Sequence, residues 1–443
     1  MYDTICTLPL TADLFAQAIS PTEPLLAIGL STGHVQAFKL PPDPSTPTSA
    51  SPGDSDDERT LQETARQVSA AESGRGLIDT AWRTRRHKGS CRTVGFSSDG
   101  STVYSAGSDG IVKAAAAETG RVTSKIAVPR GAAADVDAPC LLRALTPASF
   151  FLAADSGALY LYDVRANGAL DARPALAMRP HDDYVSSMAA LPPSAASTSG
   201  LPKQIVTTGG TTLAVVDIRR GVLAKSEDQD EELLSSCVVQ GLSKRGTSVG
   251  SKVVIGGASG VLSLWERGVW DDLDERIVLD KGPQGGESID VLAAIPDERD
   301  IVMPGGGKGI VAGMGNGMVV LTEIGGQNGI VDVFRHDEVE GVVGLGFDVA
   351  GRMITGGGSI VKVWREKDEE DEDEDDEYED EEEAKEVNGL NGTKRTMDSD
   401  SEEDEVSNDG ESRRTGKKKK KKRKKGQGFI GANGTSFSFK GLD

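Results

Sequence analysis

Apolar and polar positions alternate in seven short stretches of the chain, and each stretch follows a turn of small residues. The stretches begin at Gly33, Gly110, Gly157, Thr211, Gly260, Gly317 and Ser359. Because successive side chains of a strand point to opposite faces, this pattern predicts seven β-strands. Their first residues are 77 residues apart in the first interval and 42 to 57 apart thereafter. Without a polar insertion at residues 41–75, the spacing approaches the roughly 40–45 residues of a four-stranded propeller blade.

A second apolar run precedes these turns, for example at residues 26–29, 103–107 and 253–257. Two strands joined by a glycine-rich tight turn form a β-hairpin. A further strand pattern precedes several hairpins, and no stretch has a helical period. The sequence therefore predicts an all-β protein, a seven-bladed β-propeller at residues 1–366. Residues 2–8 should supply the outer strand of the blade that ends at Trp364, because that pairing hides two edge strands.

The units resemble degenerate WD repeats. The terminal dipeptide of such repeats is matched by Trp265-Glu266, Tyr162-Asp163, Val216-Asp217 and Trp364-Arg365, and the opening histidine by His87, His181 and His336. The resemblance implies that this histidine joins a structural network with a strand Ser or Thr, a turn Asp and the Trp. Blade two offers His87, Ser105 and Asp109 but has Ala115 in place of the Trp. No blade keeps the whole set, so the resemblance is specific for fold but poor for function.

Composition narrows the class of protein. Cys6, Cys91, Cys140 and Cys237 are far apart in the sequence and form no Cys-x-x-Cys pair, which predicts a reducing compartment. The first residues lack the pattern of a signal peptide, and no apolar run of about 18 residues predicts a membrane span. Residues 41–75 are polar and rich in proline. They are predicted to form a disordered loop between blades one and two.

Residues 367–443 are predicted to form a disordered tail of charged runs. Residues 368–383 are acidic at every position except Tyr378. The basic run consists of Lys417, Lys418, Lys419, Lys420, Lys421, Lys422, Arg423, Lys424 and Lys425. Such a run is typical of a nuclear or nucleolar signal read by an import receptor, and it could also contact RNA phosphates without sequence preference. The alternative is a solvated tail that keeps the protein soluble. Ser399 and Ser401, in an acidic cluster, are candidate phosphorylation sites.

The net charge of −21 is divided between the tail and the remainder of the chain. Residues 1–365 contain 44 acidic and 33 basic residues, so they carry −11. A protein body with this charge has no global basic field that would hold nucleic acid.

The tail adds to the resemblance. A degenerate seven-bladed WD propeller followed by an acidic block, an acidic serine cluster, a lysine run and a phenylalanine-bearing end at residues 437–442 is similar to one nucleolar family. That family includes the fungal Jumonji-domain-interacting WD-repeat protein and its animal relative, WD repeat-containing protein fifty-five. The resemblance implies a nucleolar role in ribosome biogenesis, through synthesis or processing of ribosomal RNA or through pre-ribosome assembly. It implies nucleolar or pre-ribosomal proteins as partners.

Three local patterns that could indicate an enzyme have the wrong context. Residues 29–33 match Gly-x-Ser-x-Gly, but a strand and not a helix follows Ser31. Residues 304–309 are rich in glycine, but Lys308 is followed by Gly309 where a phosphate loop needs Ser or Thr. The four histidines are too far apart in the sequence to form a local metal-binding motif, which favours a structural role. Ser31 and Lys308 are therefore predicted to lie in hairpin turns. No catalytic residue, cofactor or metal is predicted.

The sequence favours a non-catalytic nucleolar scaffold in ribosome biogenesis, with no membrane partner and no small-molecule substrate. Two alternatives use the same fold. A chromatin adaptor would capture a basic histone peptide on one face of the propeller. A substrate receptor of a ubiquitin ligase would expose Asp-x-Arg pairs at blade ends, and residues 163–165 and 217–219 fit that pattern.

Overall fold

The computed structural model describes residues 2–41, 78–130, 136–164, 171–193, 197, 199–243, 249–282, 285–297 and 303–366. These residues form 28 strands arranged as seven four-stranded antiparallel sheets. They contain no helix, and accordingly no helix that is long and apolar enough to cross a membrane. The seven sheets are the blades of the predicted propeller.

The first four blades are built from strands that follow one another along the chain. Blade 1 contains β2 (Leu14–Ile19), β3 (Leu25–Leu30), β4 (His34–Lys39) and β5 (Asp79–Arg85). Blade 2 contains β6 (Cys91–Phe96), β7 (Thr102–Gly107), β8 (Ile111–Ala116) and β9 (Val122–Ala127). Blade 3 contains β10 (Pro139–Thr146), β11 (Ser149–Ala154), β12 (Leu159–Asp163) and β13 (Leu176–Met178). Blade 4 contains β14 (Ser187–Leu191), β15 (Gln204–Gly209), β16 (Thr212–Asp217) and β17 (Gly221–Lys225).

The last three blades complete the ring. Blade 5 contains β18 (Leu233–Gln240), β19 (Ser251–Gly257), β20 (Val261–Glu266) and β21 (Glu275–Val278). Blade 6 contains β22 (Ile289–Ala294), β23 (Lys308–Met314), β24 (Met318–Ile324) and β25 (Gly329–Arg335). Blade 7 contains β26 (Gly344–Phe347), β27 (Met353–Gly357) and β28 (Ile360–Glu366), with β1 (Tyr2–Pro9) as its outer strand.

The amino-terminal strand closes the ring as predicted. β1 is antiparallel to β28, and the register runs from Tyr2 opposite Glu366 to Pro9 opposite Ile360. The first strands of neighbouring blades contact each other in order around the ring, and β26 contacts β2. They line a central channel of about 800 Å³. Pairing with β1 covers the edge of β28 that would otherwise be open.

The polar insertion lies inside blade 1 and not between blades one and two, so the predicted position was wrong. β4 ends at Lys39, and its next partner in the sheet is β5, which begins at Asp79. β5 was missed because an outer strand has little buried surface, and Trp82 is its only buried residue. Its apolar alternation is correspondingly weak. The predicted disorder of residues 41–75 concerns residues that, apart from residue 41, lie outside the described part of the chain.

Apolar side chains pack between neighbouring blades. One cluster joins blades 2 and 3, where the rings of Phe150 and Tyr162 stack with centroids 5.3 Å apart. Another joins blades 4 and 5 around Trp265, which is fully buried. The clusters between blades 5 and 6 and between blades 7 and 1 consist mainly of Val, Leu, Ile and Ala side chains. All four cysteines are free thiols.

Candidate functional site

The blade-opening histidines form structural networks. In blade 2, Nδ1 of His87 lies 3.1 Å from Oδ1 of Asp109, and Nε2 lies 3.1 Å from Oγ of Ser105. Burial lowers the pKa of His87, although Asp109 opposes that shift. A buried neutral histidine with both ring nitrogens in hydrogen bonds holds the turn against the strands and offers no free nitrogen for chemistry.

The other two networks use threonine. In blade 7, Oγ1 of Thr355 lies 2.8 Å from Nδ1 of His336 and accepts a hydrogen bond of 2.8 Å from Nε1 of Trp364. In blade 4, Thr212 and Thr207 each lie 2.9 Å from a ring nitrogen of His181. Burial lowers the pKa of both histidines to about 4. No described blade combines histidine, hydroxyl, turn aspartate and tryptophan, as the sequence predicted.

Carboxylates replace the histidine in two other blades. In blade 5, Glu231 accepts hydrogen bonds from the amide and the hydroxyl of Ser259. A Cβ atom on Gly257 would lie 2.6 Å from Cδ of Glu231, just as one on Gly107 would lie 2.5 Å from Cγ of His87. Glu231 therefore occupies the histidine position of its blade, a role that the histidine pattern of the sequence does not indicate.

Blade 3 shows the same exchange. Asp137 accepts hydrogen bonds from Ser156, 3.1 Å from the amide nitrogen and 2.7 Å from the hydroxyl. The signal in the sequence is an acidic residue two positions before the first strand of a blade, combined with a Ser-Gly turn after the second strand. Trp265, the remaining predicted WD-type residue, donates from Nε1 to the hydroxyl of Ser263 at 3.1 Å.

The side chain of Glu323 occupies the glycine-rich loop before β23, where a phosphate loop would bind its ligand. The carboxylate of Glu323 accepts hydrogen bonds from the amides of Gly305 at 2.9 Å and Gly307 at 2.6 Å. Glu323 is only 2% exposed. Because its carboxylate fills the position that a phosphate would take in a nest of amides, the loop is a structural turn.

Two residues were predicted to lie in hairpin turns. Ser31 does so, between β3 and β4, and the strand β4 follows it as expected. The prediction for Lys308 was wrong, because Lys308 is the first residue of β23, with its Nζ atom 2.8 Å from Oδ1 of Asp297. No group of three or more potential metal ligands occurs in the parts of the chain that the structure covers.

The clearest surface feature is an acidic face on blades 4 to 7. It consists of four loops that each precede the first strand of a blade: residues 179–186, residues 226–232, residues 279–282 with 285–288, and residues 336–343. Its acids are Asp182, Asp183, Glu227, Asp228, Asp230, Glu231, Glu232, Asp280, Glu287, Asp337, Glu338 and Glu340. Its only bases are Arg179 and Lys281, so the four loops carry a net charge of −10.

Apolar side chains are exposed among these carboxylates. Val339 is 80% exposed, Val343 46% and Tyr184 36%. A surface that combines negative charge with exposed apolar groups can bind a basic segment by charge and by apolar contact together. These loops are far apart in the sequence, and only the ring closure brings them onto one face.

Of the two Asp-x-Arg pairs, the structure describes both ends of the pair at residues 217–219 but only the aspartate of the pair at residues 163–165. Oδ1 of Asp217 accepts hydrogen bonds from the amides of Arg219 and Arg220, at 2.9 and 3.1 Å. It thereby shapes the turn after β16 and leaves the side chain of Arg219 exposed. In the other pair, Asp163 ends β12 and Arg165 lies outside the described residues. The basic run at residues 417–425, Ser399 and Ser401 also lie outside them.

Seven four-stranded blades with these hydroxyl, histidine and tryptophan networks define a WD-repeat β-propeller. Comparison with known proteins gives the family, although no family model matches the chain. The chain is 56% identical over 367 residues to WD repeat-containing protein jip5 of Aspergillus terreus, which covers 83% of each chain. It is 56% identical over 371 residues to WD repeat-containing protein JIP5 of Phaeosphaeria nodorum, again 83% of each. The relative in Coccidioides immitis is 55% identical over 370 residues, 83% of this chain and 82% of that one.

The chain therefore belongs to the family of WD repeat-containing protein JIP5. This confirms the resemblance drawn from the degenerate repeats and the tail. WD-repeat propellers are generally non-catalytic scaffolds or adaptors, and the propeller described above is consistent with that class.

Proposed function

We propose that this protein is a non-catalytic nucleolar scaffold in ribosome biogenesis, and that its acidic face binds basic segments of nucleolar or pre-ribosomal proteins. The observation that supports the proposal is the net charge of −10 on four loops of one face. Proteins that associate with RNA are rich in Lys and Arg, and an acidic surface attracts them and accelerates their association.

The chemistry of the face suits a basic partner. Glu232, Glu287, Glu338 and Glu340 are exposed, and their carboxylates form no hydrogen bond within the parts of the chain that the structure covers. They are free to pair with cations of a partner. Val339, beside two of them, offers an apolar contact that an unbound face leaves in water.

The nucleolar part of the proposal rests on the tail. Nine consecutive cations at residues 417–425 repel one another and remain available to an acidic groove of an import receptor or to nucleolar RNA. The acidic block at residues 368–383 competes for the same cations at low salt. Neutralising that block should strengthen binding of RNA by the full-length protein, as measured by fluorescence anisotropy.

A cell fractionation experiment with matched variants tests the scaffold proposal. The first variant replaces Glu232, Glu287, Glu338 and Glu340 with Gln. The control variant changes the net charge equally by replacing four exposed acids elsewhere: Glu23→Gln, Asp79→Asn, Glu118→Gln and Asp171→Asn. The first should lose cofractionation with pre-ribosomal particles, and the control should retain it. Equal behaviour of the two variants would contradict a role for the acidic face.

Histone binding is the second candidate, because the same acidic face attracts basic histone tails. The fractionation separates the two functions. Wild-type protein that sediments with nucleosomes and not with pre-ribosomal particles would favour the chromatin adaptor. A ubiquitin-ligase receptor remains an alternative through the exposed Arg219, and Arg219→Ala would then abolish binding to the ligase while leaving the fractionation profile unchanged.

A further inference from the structure

The central channel opens on the acidic face through a ring of side chains, one from each blade. In five blades the first strand has a bulge at a residue near its start: Phe15, Arg92, Cys140, Leu234 and Asp290. Ser186 and Val343 hold the same place in blades 4 and 7, directly before β14 and β26. All of them line the channel. Because the loops of the acidic face also precede the first strands, the ring lies at the mouth of the channel on that face.

Asp290 is the carboxylate of this ring, and it is exposed to the channel. Its neighbours from the adjacent blades are apolar, Leu234 on one side and Val343 on the other. Phe15, on the blade after that of Val343, is 48% exposed. The cation of the ring, Arg92, is already held by Asp155 at 2.6 Å. The mouth therefore presents one negative charge among exposed apolar side chains.

The protein itself gives little support to the charged form of Asp290. Burial in the mouth raises the pKa of its carboxyl group, and only a hydrogen bond from Ser288 opposes that shift. Asp290 forms no ion pair with any residue that the structure describes. A carboxylate that is partly removed from water and lacks a cation costs free energy, which a bound cation would recover.

A second carboxylate meets Asp290 at the turn between β23 and β24. A Cβ atom on Gly315 would lie 3.4 Å from Oδ2 of Asp290 and 3.7 Å from Oε2 of Glu287. The hydroxyl of Ser288 borders the same space, 2.6 Å from that Cβ position. Glu287 belongs to the acidic face, so the negative charge of that face continues into the mouth of the channel.

An aromatic ring reaches toward the mouth from the loop before blade 4. Burial raises the pKa of the Tyr184 hydroxyl, and Glu232 and Asp290 are among the charges that add to the shift. The hydroxyl is therefore within electrostatic reach of carboxylates from blades 5 and 6. In the described part of the chain it forms no hydrogen bond with either of them. An aromatic ring beside carboxylates suits a cation, because the face of the ring is itself negative.

We infer that the mouth of the channel binds one lysine or arginine side chain of a basic partner segment, with Asp290 as its counter-charge. The aliphatic stem of such a side chain packs against Leu234 and Val343, while its charged end reaches Asp290 and Glu287. A metal ion has no stem, so it would leave these apolar side chains without a contact. The inference rests on the proposed binding of basic segments by the acidic face, and it names the place where such a segment is anchored.

The channel also limits how far a cation can enter. Arg143 lines it three residues beyond Cys140 in β10, which places Arg143 about 10 Å deeper than the ring. Its guanidinium has no ion pair or hydrogen bond with the residues that the structure covers. An unpaired cation at this depth repels a second one. The channel therefore accepts positive charge at its mouth and not further inside.

Purified protein tests the inference. The reference is the full-length chain with residues 417–425 replaced by Gln, so that its own lysines do not compete for the mouth. The site variant adds Asp290→Asn. The control variant instead adds Asp79→Asn, which removes the same charge from an exposed position of the outer strand β5. The probes are a short fluorescent oligolysine, its acetylated form and an oligoarginine of equal length, and binding is measured by anisotropy.

The site variant should bind the tighter of the two basic peptides about tenfold more weakly than the reference, because it loses a charge-assisted hydrogen bond in a partly desolvated site. The control variant should bind as the reference does. Acetylated oligolysine keeps the stem but loses the charge, so it should not bind. Tyr184→Leu should weaken binding about threefold through loss of the cation–π contact, whereas Tyr184→Phe should bind like the reference.

The stability of the site variant separates a ligand site from a structural carboxylate. Asp290→Asn should unfold at a temperature no lower than the reference, because it removes a carboxylate that has no cation partner. Weak binding together with a lower Tm would mean that Asp290 serves the fold and not a ligand. Equal affinities of the site and control variants, or binding of the acetylated peptide as tight as that of oligolysine, would also overturn the inference.

The variant in which Glu232, Glu287, Glu338 and Glu340 are replaced with Gln distinguishes this inference from the proposed function. If that variant loses the basic peptide while Asp290→Asn keeps it, the acidic face binds basic segments and the anchor in the mouth is wrong. If Asp290→Asn loses the peptide while the variant with four replacements still cofractionates with pre-ribosomal particles, the anchor is supported and the proposed role of the acidic face is wrong.

Discussion

The closure of the ring by β1 can be tested with one substitution, Tyr2→Ala. Tyr2 is 7% exposed, and its ring meets that of Phe334 edge-on with centroids 5.7 Å apart. It packs in a cluster that also contains Trp364 and Val319. Tyr2 therefore joins the amino-terminal strand to the cores of blades 6 and 7.

The magnitude follows from the burial of the ring. Truncating a buried aromatic side chain to Ala costs about 3 to 5 kcal/mol. A propeller of this length has an unfolding entropy of about 0.75 kcal/mol/K, at roughly 2.1 cal/mol/K per residue. Tyr2→Ala should therefore lower the Tm by about 4 to 7 °C. Differential scanning calorimetry measures this shift directly.

Tyr184→Ala is the matched control, because Tyr184 is 36% exposed. Its Tm should stay within about 1 °C of the wild type. Deleting residues 1–9 should have a larger effect than Tyr2→Ala, since it also exposes β28 as an edge strand and so promotes aggregation. An unchanged Tm for Tyr2→Ala, or for the deletion, would refute closure of the ring by β1 in solution.

Three further outcomes are expected. The free energy of unfolding should fall as the pH drops from 6.5 to about 4. His181 and His336 stay neutral in the folded protein over this range, whereas the same histidines bind protons in the unfolded chain. A Tm that decreases across this pH range would confirm the expected direction. Glu323→Ala should cost about 2 to 3 kcal/mol in denaturant unfolding, since it removes two hydrogen bonds that a buried carboxylate accepts from the amides of Gly305 and Gly307. Lys308→Ala should cost under about 1 kcal/mol and leave cellular function intact. Truncation after Gly416 should remove the protein from the nucleolus in fluorescence microscopy while the Tm is unchanged; nucleolar retention would place the signal elsewhere.

The two strands that form the central hairpin of each blade were predictable from the sequence. The second and third strands of each blade are buried between blades, so β19 and β20 carry long apolar runs separated by a tight Ser-Gly turn. The outer strands gave a weaker signal. β17 places Val222 and Leu223 in water one after the other, so its sequence lacks a two-residue period.

The candidate surfaces were harder to predict than the fold. The sequence indicated a mildly acidic body with a net charge of −11, and that average hid four loops that together carry −10. Each loop of the acidic face contributes only two to five acids, and such numbers are ordinary in surface loops. Whether these acids form one acidic surface depends on which loops share a face of the propeller. The arrangement of the loops follows from the closure of the ring and not from any local sequence pattern.

The carboxylates that replace histidine were not predicted from the sequence, for a different reason. Glu231 and Asp137 are indistinguishable in the sequence from solvated surface acids, because the WD pattern has histidine at those positions. The structure pairs each of them with the serine of a Ser-Gly turn. The network requires a hydrogen-bonding pair between loop and turn, and either member can supply the carboxylate.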